Sequence, residues 1–206
     1  MFESAFRSID DILWKDAGCT GEIDYIEQTS WLLFLKYLDD YEQELEAQAA
    51  LEGRRHTPLM AERFRWRSWA APKRSDGAID YQKAQTGDDL LEFVNDELFP
   101  YLERFRRTTD DAASLQYKVG EVFKEISNKL QSGYTLRDVI DKVDQLSFST
   151  NAEQYELSSL YEDKIKNMGN AGRNGGEYYT PRPLIEAVTK VVNPGIGETV
   201  YDGAVG

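Results

Sequence analysis

The sequence contains one cysteine, Cys19, and one histidine, His56. A single cysteine excludes an internal disulfide framework and a Cys-rich zinc site. A single histidine, set in a polar turn-like stretch, excludes a His-rich metal centre and argues against a Ser-His-Asp triad. No metal ligand set is predicted. Long apolar runs are also missing. The longest, Trp31 to Leu35, is far too short to span a bilayer. The opening MFESAFRSIDD lacks a basic region and a small-residue cleavage site, so it does not read as a secretory signal. A reduced, cytoplasmic setting without membrane attachment follows. No internal repeat and no low-complexity tract appears. The chain has 206 residues, 41% hydrophobic and 30% charged, which fits a soluble globular protein of one large or two small domains.

Positive charge is scarce, with 24 Lys and Arg against 37 Asp and Glu, a net charge of −13. That balance argues against a self-sufficient nucleic-acid binder. The average hides a pattern. Residues 1–52 carry 3 basic and 13 acidic side chains, whereas residues 53–74 carry 7 basic and 1 acidic. Residues 75–111 are acidic again. The basic stretch interleaves Arg54, Arg55, Arg63, Arg65, Arg67, Lys73 and Arg74 with Phe64, Trp66 and Trp69. Arginine forks bind phosphate and aromatic planes stack on bases, so Arg54, Arg55, Arg63, Arg65 and Arg67 are candidate nucleic-acid or partner contacts. The blander reading is a basic loop that docks on its acidic neighbours. It is favoured, because a neutralising segment lies on each side.

Helical periodicity dominates the first 168 residues. Phe2, Phe6, Ile9 and Leu13 form one face, and Gly18 is expected to end that helix as a C′ residue. Asp24 to Glu27 has capping-box spacing and predicts the start of a long helix. Trp31, Leu32, Phe34, Leu35 and Leu38 cannot share one stripe, so that turn is expected to be buried, with an acidic tail from Asp39 reaching solvent and Gly53 as the stop. Residues 72–87 read as loop. A helix follows over DDLLEFVNDELFPYLERF, with Pro100 as a kink or break. Another runs over SLQYKVGEVFKEISNKL, with Gly133 just beyond it. Thr135 is expected to cap TLRDVIDKVDQL. A further helix ends at Gly169. Residues 1–168 therefore read as an all-α bundle or helix array.

The composition then changes. GNAGRNGGEYYTPRP packs four glycines and two prolines into fifteen residues. Thr180 as N-cap and Pro181 at N1 open a helix that carries Leu184, Ile185, Val188 and Val191. After a Pro-Gly turn, ETVYDGAVG reads as a short strand running into a small-residue turn. Glycine and alanine there let main-chain N–H groups approach a polar ligand at a sheet edge. Alone this signal is weak.

The ordered combination is more specific. Gly-Glu-Tyr-Tyr-Thr-Pro, one amphipathic helix and Val-Tyr-Asp-Gly-Ala together resemble the modification (M) subunit of type I restriction–modification systems. That family is an S-adenosylmethionine-dependent DNA adenine N6-methyltransferase. WLLFLKYLDDYEQELE, FRWRSWA and LSSLYEDKI resemble its N-terminal segments, so the resemblance spans nearly the whole chain. It implies that residues 169–206 start a class I, Rossmann-like methyltransferase domain. Glu177, Tyr178, Tyr179, Thr180, Pro181 and Arg182 match the segment lining the methionine end of the cofactor. Asp202, Gly203, Ala204 and Gly206 match the first cofactor loop. For the tyrosines, packing between domains carries equal weight. For Thr180, a plain N-cap is compatible with the cofactor role.

Gly203 stands where the family usually has proline, and Val205 where cysteine, alanine or phenylalanine is common. The family's catalytic Asn/Asp-Pro-Pro-aromatic motif does not occur in these residues. There it receives a flipped adenine whose amine attacks the sulfonium methyl. No catalytic residue is therefore assigned. The expectation is a fragment, inactive by itself and binding S-adenosylmethionine weakly or not at all. The resemblance further implies a specificity subunit, a second modification subunit and a restriction subunit as partners, with double-stranded DNA reached through the complex. A parallel strand without neighbours exposes its edges, so Glu198 to Ala204 is expected to be disordered or to pair with another copy. The main alternative is a helical interaction module with no enzymatic role. A class I methyltransferase acting on another substrate is a third reading. An NAD site is weaker still, since no Gly-x-Gly-x-x-Gly follows the strand.

Overall fold

The structure is a computed structural model that describes residues 2–148, 150, 153, 155–162, 180, 182–195, 197–201 and 203. Its contacts divide the chain into two compact units, Met1–Gln154 and Tyr155–Gly206. The domain boundary expected at residue 168 lies outside the described residues. The described residues are mainly helical and contain no sheet. One isolated antiparallel bridge, Lys73 to Ile79, closes the turn at Gly77. No described helix is long and apolar enough to cross a membrane.

In the first unit, helix α1 spans Phe2–Leu13 and buries the predicted face, Phe2, Phe6, Ile9 and Leu13. Each such burial contributes about 1.5–3 kcal/mol. Helix α2 spans Glu22–Leu51. Trp31, Leu32, Leu35 and Leu38 are buried as expected, and Phe34 is half-buried. Gly53 ends α2 at φ 67, with the Arg54 amide donating to Ala49 at 2.8 Å and the Gly53 amide to Ala50 at 3.2 Å. This is a Schellman closure, and glycine is needed at that left-handed position. A four-residue turn, α3 (Trp66–Trp69), packs on α2.

Helices α4 (Gly87–Glu92) and α5 (Phe99–Glu103) form one continuous run through π geometry at Phe93–Leu98. Pro100 thus neither breaks nor ends the helix. Its missing N–H and its ring are accommodated where the ladder widens just ahead of it. Helices α6 (Leu115–Glu125) and α7 (Gly133–Asp144) complete the core, α6 against α5 and α7 against α1, α2 and α4.

Several boundary expectations are corrected by side chains that claim backbone groups. Helix α6 stops at Glu125 rather than near Leu130 because the connector that follows is strapped across the start of α2. Buried Gln28 accepts from the Lys129 amide at 3.1 Å and donates to the Ser127 carbonyl at 3.0 Å. Buried Asp16 accepts from the amides of Gln131 at 2.9 Å and Ser132 at 3.1 Å. Gly18 is not a C′ residue, since α1 ends at Leu13. It is glycine because a Cβ there would lie 1.7 Å from the Lys129 carbonyl oxygen. Helix α2 begins at Glu22, and Asp24 caps nothing ahead. Its carboxylate accepts from the Thr20 amide and hydroxyl and from Lys129. Ser132, not Thr135, caps α7 by accepting from the Thr135 amide at 3.2 Å, which leaves Gly133 inside that helix.

In the second unit, residues 155–162 form helix α8 and Arg182–Val192 form α9. The helix expected to reach Gly169 is described only to residue 162. Helix α9 begins at Arg182, two residues after Thr180, and Pro181 lies outside the described residues. The strand expected over 198–204 is not formed at residues 198–201. A parallel strand exists only by pairing, and the described residues offer it no partner strand. Asp202 and residues 204–206 lie outside the described residues.

Gly133 is pressed against Gly87, and an added Cβ would meet the Gly87 carbonyl at 1.8 Å. Gly133→Ala is expected to lower stability by about 3 kcal/mol in urea unfolding. Gly21→Ser is expected to hold or raise it, since Gly21 is an extended N-cap with open space around it. The hydrogen bond from Lys129, then those from Thr20, bring Asp24 from its ordinary 3.8 down to about 2. A depressed carboxylate stabilises the fold above its unfolded pKa and loses that contribution as pH falls. Asp24→Asn is expected to flatten acid unfolding between about pH 4 and pH 2.

Candidate functional site

The basic segment lies against α2, and the contact is built on buried charge. Arg65 and Asp39 are each 1% exposed and paired at 2.7 Å. Arg65 also pairs with Glu46. The second Asp39 oxygen accepts from the Arg67 amide at 3.2 Å and from Gln43 at 3.1 Å. Arg67 bridges Glu62 at 3.1 Å and Glu46 at 3.4 Å. The Arg67 hydrogen bond holds the Glu62 carboxyl below its usual range. One turn further along α2, Glu42 is buried, 3.1 Å from His56 and 3.0 Å from the Leu59 amide. The acidic tail of α2 therefore does not simply reach solvent. One of its faces, through Asp39, Glu42 and Ala49, is covered by the basic segment.

The aromatics of that segment turn inward. Trp66 is 3% exposed and donates to Asp144 at 3.0 Å. Trp69 is 2% exposed and donates to the Phe64 carbonyl at 3.2 Å. Phe64 stacks on Tyr101 with ring centroids 3.9 Å apart. None of the three presents a free face to a nucleobase. Of the candidate arginines, Arg65 is enclosed and Arg67 is held between two carboxylates. Arg63 lies over the Phe64 ring at 4.9 Å and pairs with Glu97, while Arg54 pairs with Glu52. Arg55 is exposed and has no ion-pair partner among the described residues. The docking reading of the segment matches this geometry. The exposed positive side chains of the segment are Arg54, Arg55, Arg63, Lys73 and Arg74, and of these only Arg55 has no ion-pair partner among the described residues.

Sequence reasoning missed the acidic partners, Asp39, Glu42 and Glu46. Their spacing of three and four residues was the available signal, since it places all three on one stripe of α2. Cys19 offers no reactive thiol. Burial, then Asp16 and Asp24, push it up to about 11. Among the described residues, no group of three or more His, Cys, Asp or Glu is arranged to hold a metal ion.

Of the expected cofactor residues, Thr180 is exposed ahead of α9, Arg182 is the first residue of α9, and Gly203 sits in a turn. A Cβ on Gly203 would come 3.2 Å from the Tyr201 ring. Glu177, Tyr178, Tyr179, Pro181, Asp202, Ala204 and Gly206 lie outside the described residues. The described residues fit a cofactor carboxylate to this extent. In the first turn of α9 the Arg182 and Leu184 amides have no intrahelical acceptor, Pro183 has no amide to offer, and the Thr180 hydroxyl stands two residues before the helix.

The fold thus defines an α-helical domain followed by a unit in which α9 follows a threonine-proline step in the sequence and precedes a glycine turn. The family model described as the HsdM N-terminal domain matches residues 3–163, and the one described as N-6 DNA methylase matches residues 152–206. The chain belongs to the HsdM N-terminal domain family. It is 38% identical over 98% of its length to the type I restriction enzyme EcoEI methylase subunit of Escherichia coli, and 25% identical over 94% to the EcoKI methylase subunit of strain K12. It spans 38% and 32% of those relatives' lengths. Among solved structures, a modification subunit assigned to a type I restriction enzyme from Vibrio vulnificus YJ016 superposes with TM-score 0.79. That match has 35% identity and covers 95% of this chain and 41% of the other. A chain from work on assembly and conformational transition of the type I R-M system superposes with TM-score 0.73 at 36% identity. It covers 97% of this chain and 37% of the other.

Removing one member of a buried pair leaves the other charge uncompensated. Asp39→Ala is expected to cost about 3–5 kcal/mol in denaturant unfolding. Arg54→Ala, which breaks an exposed pair, is expected to cost less than about 1 kcal/mol.

Proposed function

We propose that this chain is the N-terminal region of a type I modification subunit. Residues 1–168 would be its helical domain and residues 169–206 the start of its S-adenosylmethionine-dependent DNA adenine N6-methyltransferase domain. The tandem order of the two family matches carries the reading, helical domain first and methylase second. The whole protein would work in the cytoplasm with a specificity subunit, a second modification subunit and a restriction subunit, and would meet double-stranded DNA through that complex. Most of the helical domain's arginines are held by its own carboxylates, which favours protein contact over primary DNA reading.

Bound S-adenosylmethionine would supply an activated methyl group. On this chain, the Thr180 hydroxyl and the first amides of α9 would hold the carboxylate at the methionine end. Glu177, Tyr178, Tyr179, Pro181 and Arg182 would line that end. Asp202, Gly203, Ala204 and Gly206 would form the loop that brings main-chain N–H groups close to the cofactor. The 206 residues alone would transfer no methyl group, for want of an Asn/Asp-Pro-Pro-aromatic motif.

The test uses the whole gene product assembled with its specificity subunit. It is expected to methylate adenine in duplex DNA. Thr180→Val is expected to weaken S-adenosylmethionine binding by about tenfold in titration calorimetry, with an unchanged melting curve. Full affinity in that variant would remove the carboxylate assignment. Absence of any methyl transfer by the assembled protein would remove the enzymatic reading.

A further inference from the structure

A notch of about 210 Å³ opens beside α2, lined by Tyr37, Asp40, Tyr41, Gln43, Glu44 and Phe148. It shares no residue with the basic segment or with the expected cofactor residues. Its walls are aromatic. The Tyr37 and Tyr41 rings are exposed and lie parallel, with centroids 6.3 Å apart and planes 9° apart. Tyr37 meets Phe148 edge to face at 6.4 Å. Its rim is acidic. Buried Lys36 holds one Asp40 oxygen, Oδ2, at 2.8 Å and lies 5.7 Å from the Phe148 ring centre. The other Asp40 oxygen has no hydrogen bond among the described residues. Glu44 is exposed and has no ion-pair partner among them. No lysine or arginine occurs from residue 37 to residue 53, so no neighbour at helical spacing neutralises Glu44. Asp40 and Glu44 against Lys36 leave one negative charge at the notch. Burial pushes the Asp40 carboxyl up, even though Lys36 bonds it.

We propose that this notch is a binding site for the primary ammonium end of a small linear aliphatic amine. An ammonium carries three N–H donors. Asp40 and Glu44 are four residues apart on one helix face, which sets their Cβ atoms about 5–6 Å apart, so one cation between them reaches both carboxylates. The methylene stem lies along the Tyr37 and Tyr41 rings, which cover its apolar surface and attract the charge. One bound ammonium cancels the one uncompensated charge, and Lys36 keeps its own Asp40 oxygen. The rim is set in advance, because Gln43 is held by donating to Asp39 at 3.1 Å. The volume lies below the roughly 300 Å³ at which pockets for larger organic ligands begin, which selects a short chain. The sign of the rim excludes phosphates and carboxylates. The proposal stands on the helical domain alone and does not rest on the methyltransferase reading.

The experiment titrates the 206-residue chain with 1,4-diaminobutane at constant ionic strength and follows the tyrosine ring resonances by NMR. Saturable shifts of the Tyr37 and Tyr41 rings are expected, with a dissociation constant of about 1 mM or tighter. Tyr41→Leu and Glu44→Gln, both at exposed positions, are each expected to weaken binding by about tenfold without moving the melting curve. Asp11→Asn removes one exposed carboxylate on α1 and is expected to leave binding unchanged. Tetramethylammonium, which has no N–H to donate, is expected to bind about tenfold more weakly than the diamine. Absence of a saturable shift at millimolar amine overturns the proposal. Equal losses in Glu44→Gln and Asp11→Asn overturn it too, since they would mean attraction to net charge alone. Tetramethylammonium binding as tightly as the diamine removes the carboxylate contacts. Ring shifts that follow protein concentration and ignore the amine would mean that a second copy covers the notch, and that also overturns it.

Discussion

The ion pair between Asp39 and Arg65 determines how residues 53–74 meet the rest of the helical domain. Both groups are almost fully enclosed, and a guanidinium cannot be taken out of water without a carboxylate to receive it. Asp39 lies mid-way along α2, where the helix changes from apolar all round to amphipathic. Arg65 therefore fixes where the basic segment crosses that helix. Once it is fixed, the Arg67 amide reaches the second Asp39 oxygen, and Trp66 and Trp69 turn toward α7 and Phe93. Arg137 on α7 closes the far side by donating to the Ala70 carbonyl at 2.6 Å. The clamp from Asp16 and Gln28 does the same for the connector before α7.

This arrangement changes what the charge pattern means. In the linear sequence, residues 53–74 are an isolated positive block. In the fold, Arg63, Arg65, Arg67 and Lys73 each face a carboxylate, and the block works as internal mortar. The acidic excess is left outside, on the second face of α2 and along α4. A surface of that sign repels a phosphate backbone and suits basic protein partners. The relatives are methylase subunits of type I restriction enzymes, and this chain corresponds to about a third of their length.

Much of the helical domain was legible in the sequence. The α1 stripe, the encircled core turn of α2 and the Gly53 stop rest on local periodicity and on one backbone conformation that glycine favours. Boundaries set by distant partners were not legible. Nothing local to residues 126–132 says that Gln28 and Asp16 will claim their amides. Nothing local to Gly18 or Gly133 says that another backbone passes too close for a Cβ. The stripe of buried Asp39 and Glu42 and half-buried Glu46 was hidden because acidic residues are ordinarily assigned to solvent. Its meaning depends on arginines up to 28 residues further on. The tail was read from order and resemblance, not periodicity. The family matches support that reading, while the strand it called for is not formed in the described residues.

A double-mutant cycle on Asp39→Leu and Arg65→Met tests the central claim most directly. The account predicts that each single variant is strongly destabilised and that the double variant recovers part of the loss, with a coupling energy of about 2–3 kcal/mol. Additive losses, with coupling within about 0.5 kcal/mol of zero, would mean that the two groups act independently and that the segment is held by its aromatics instead.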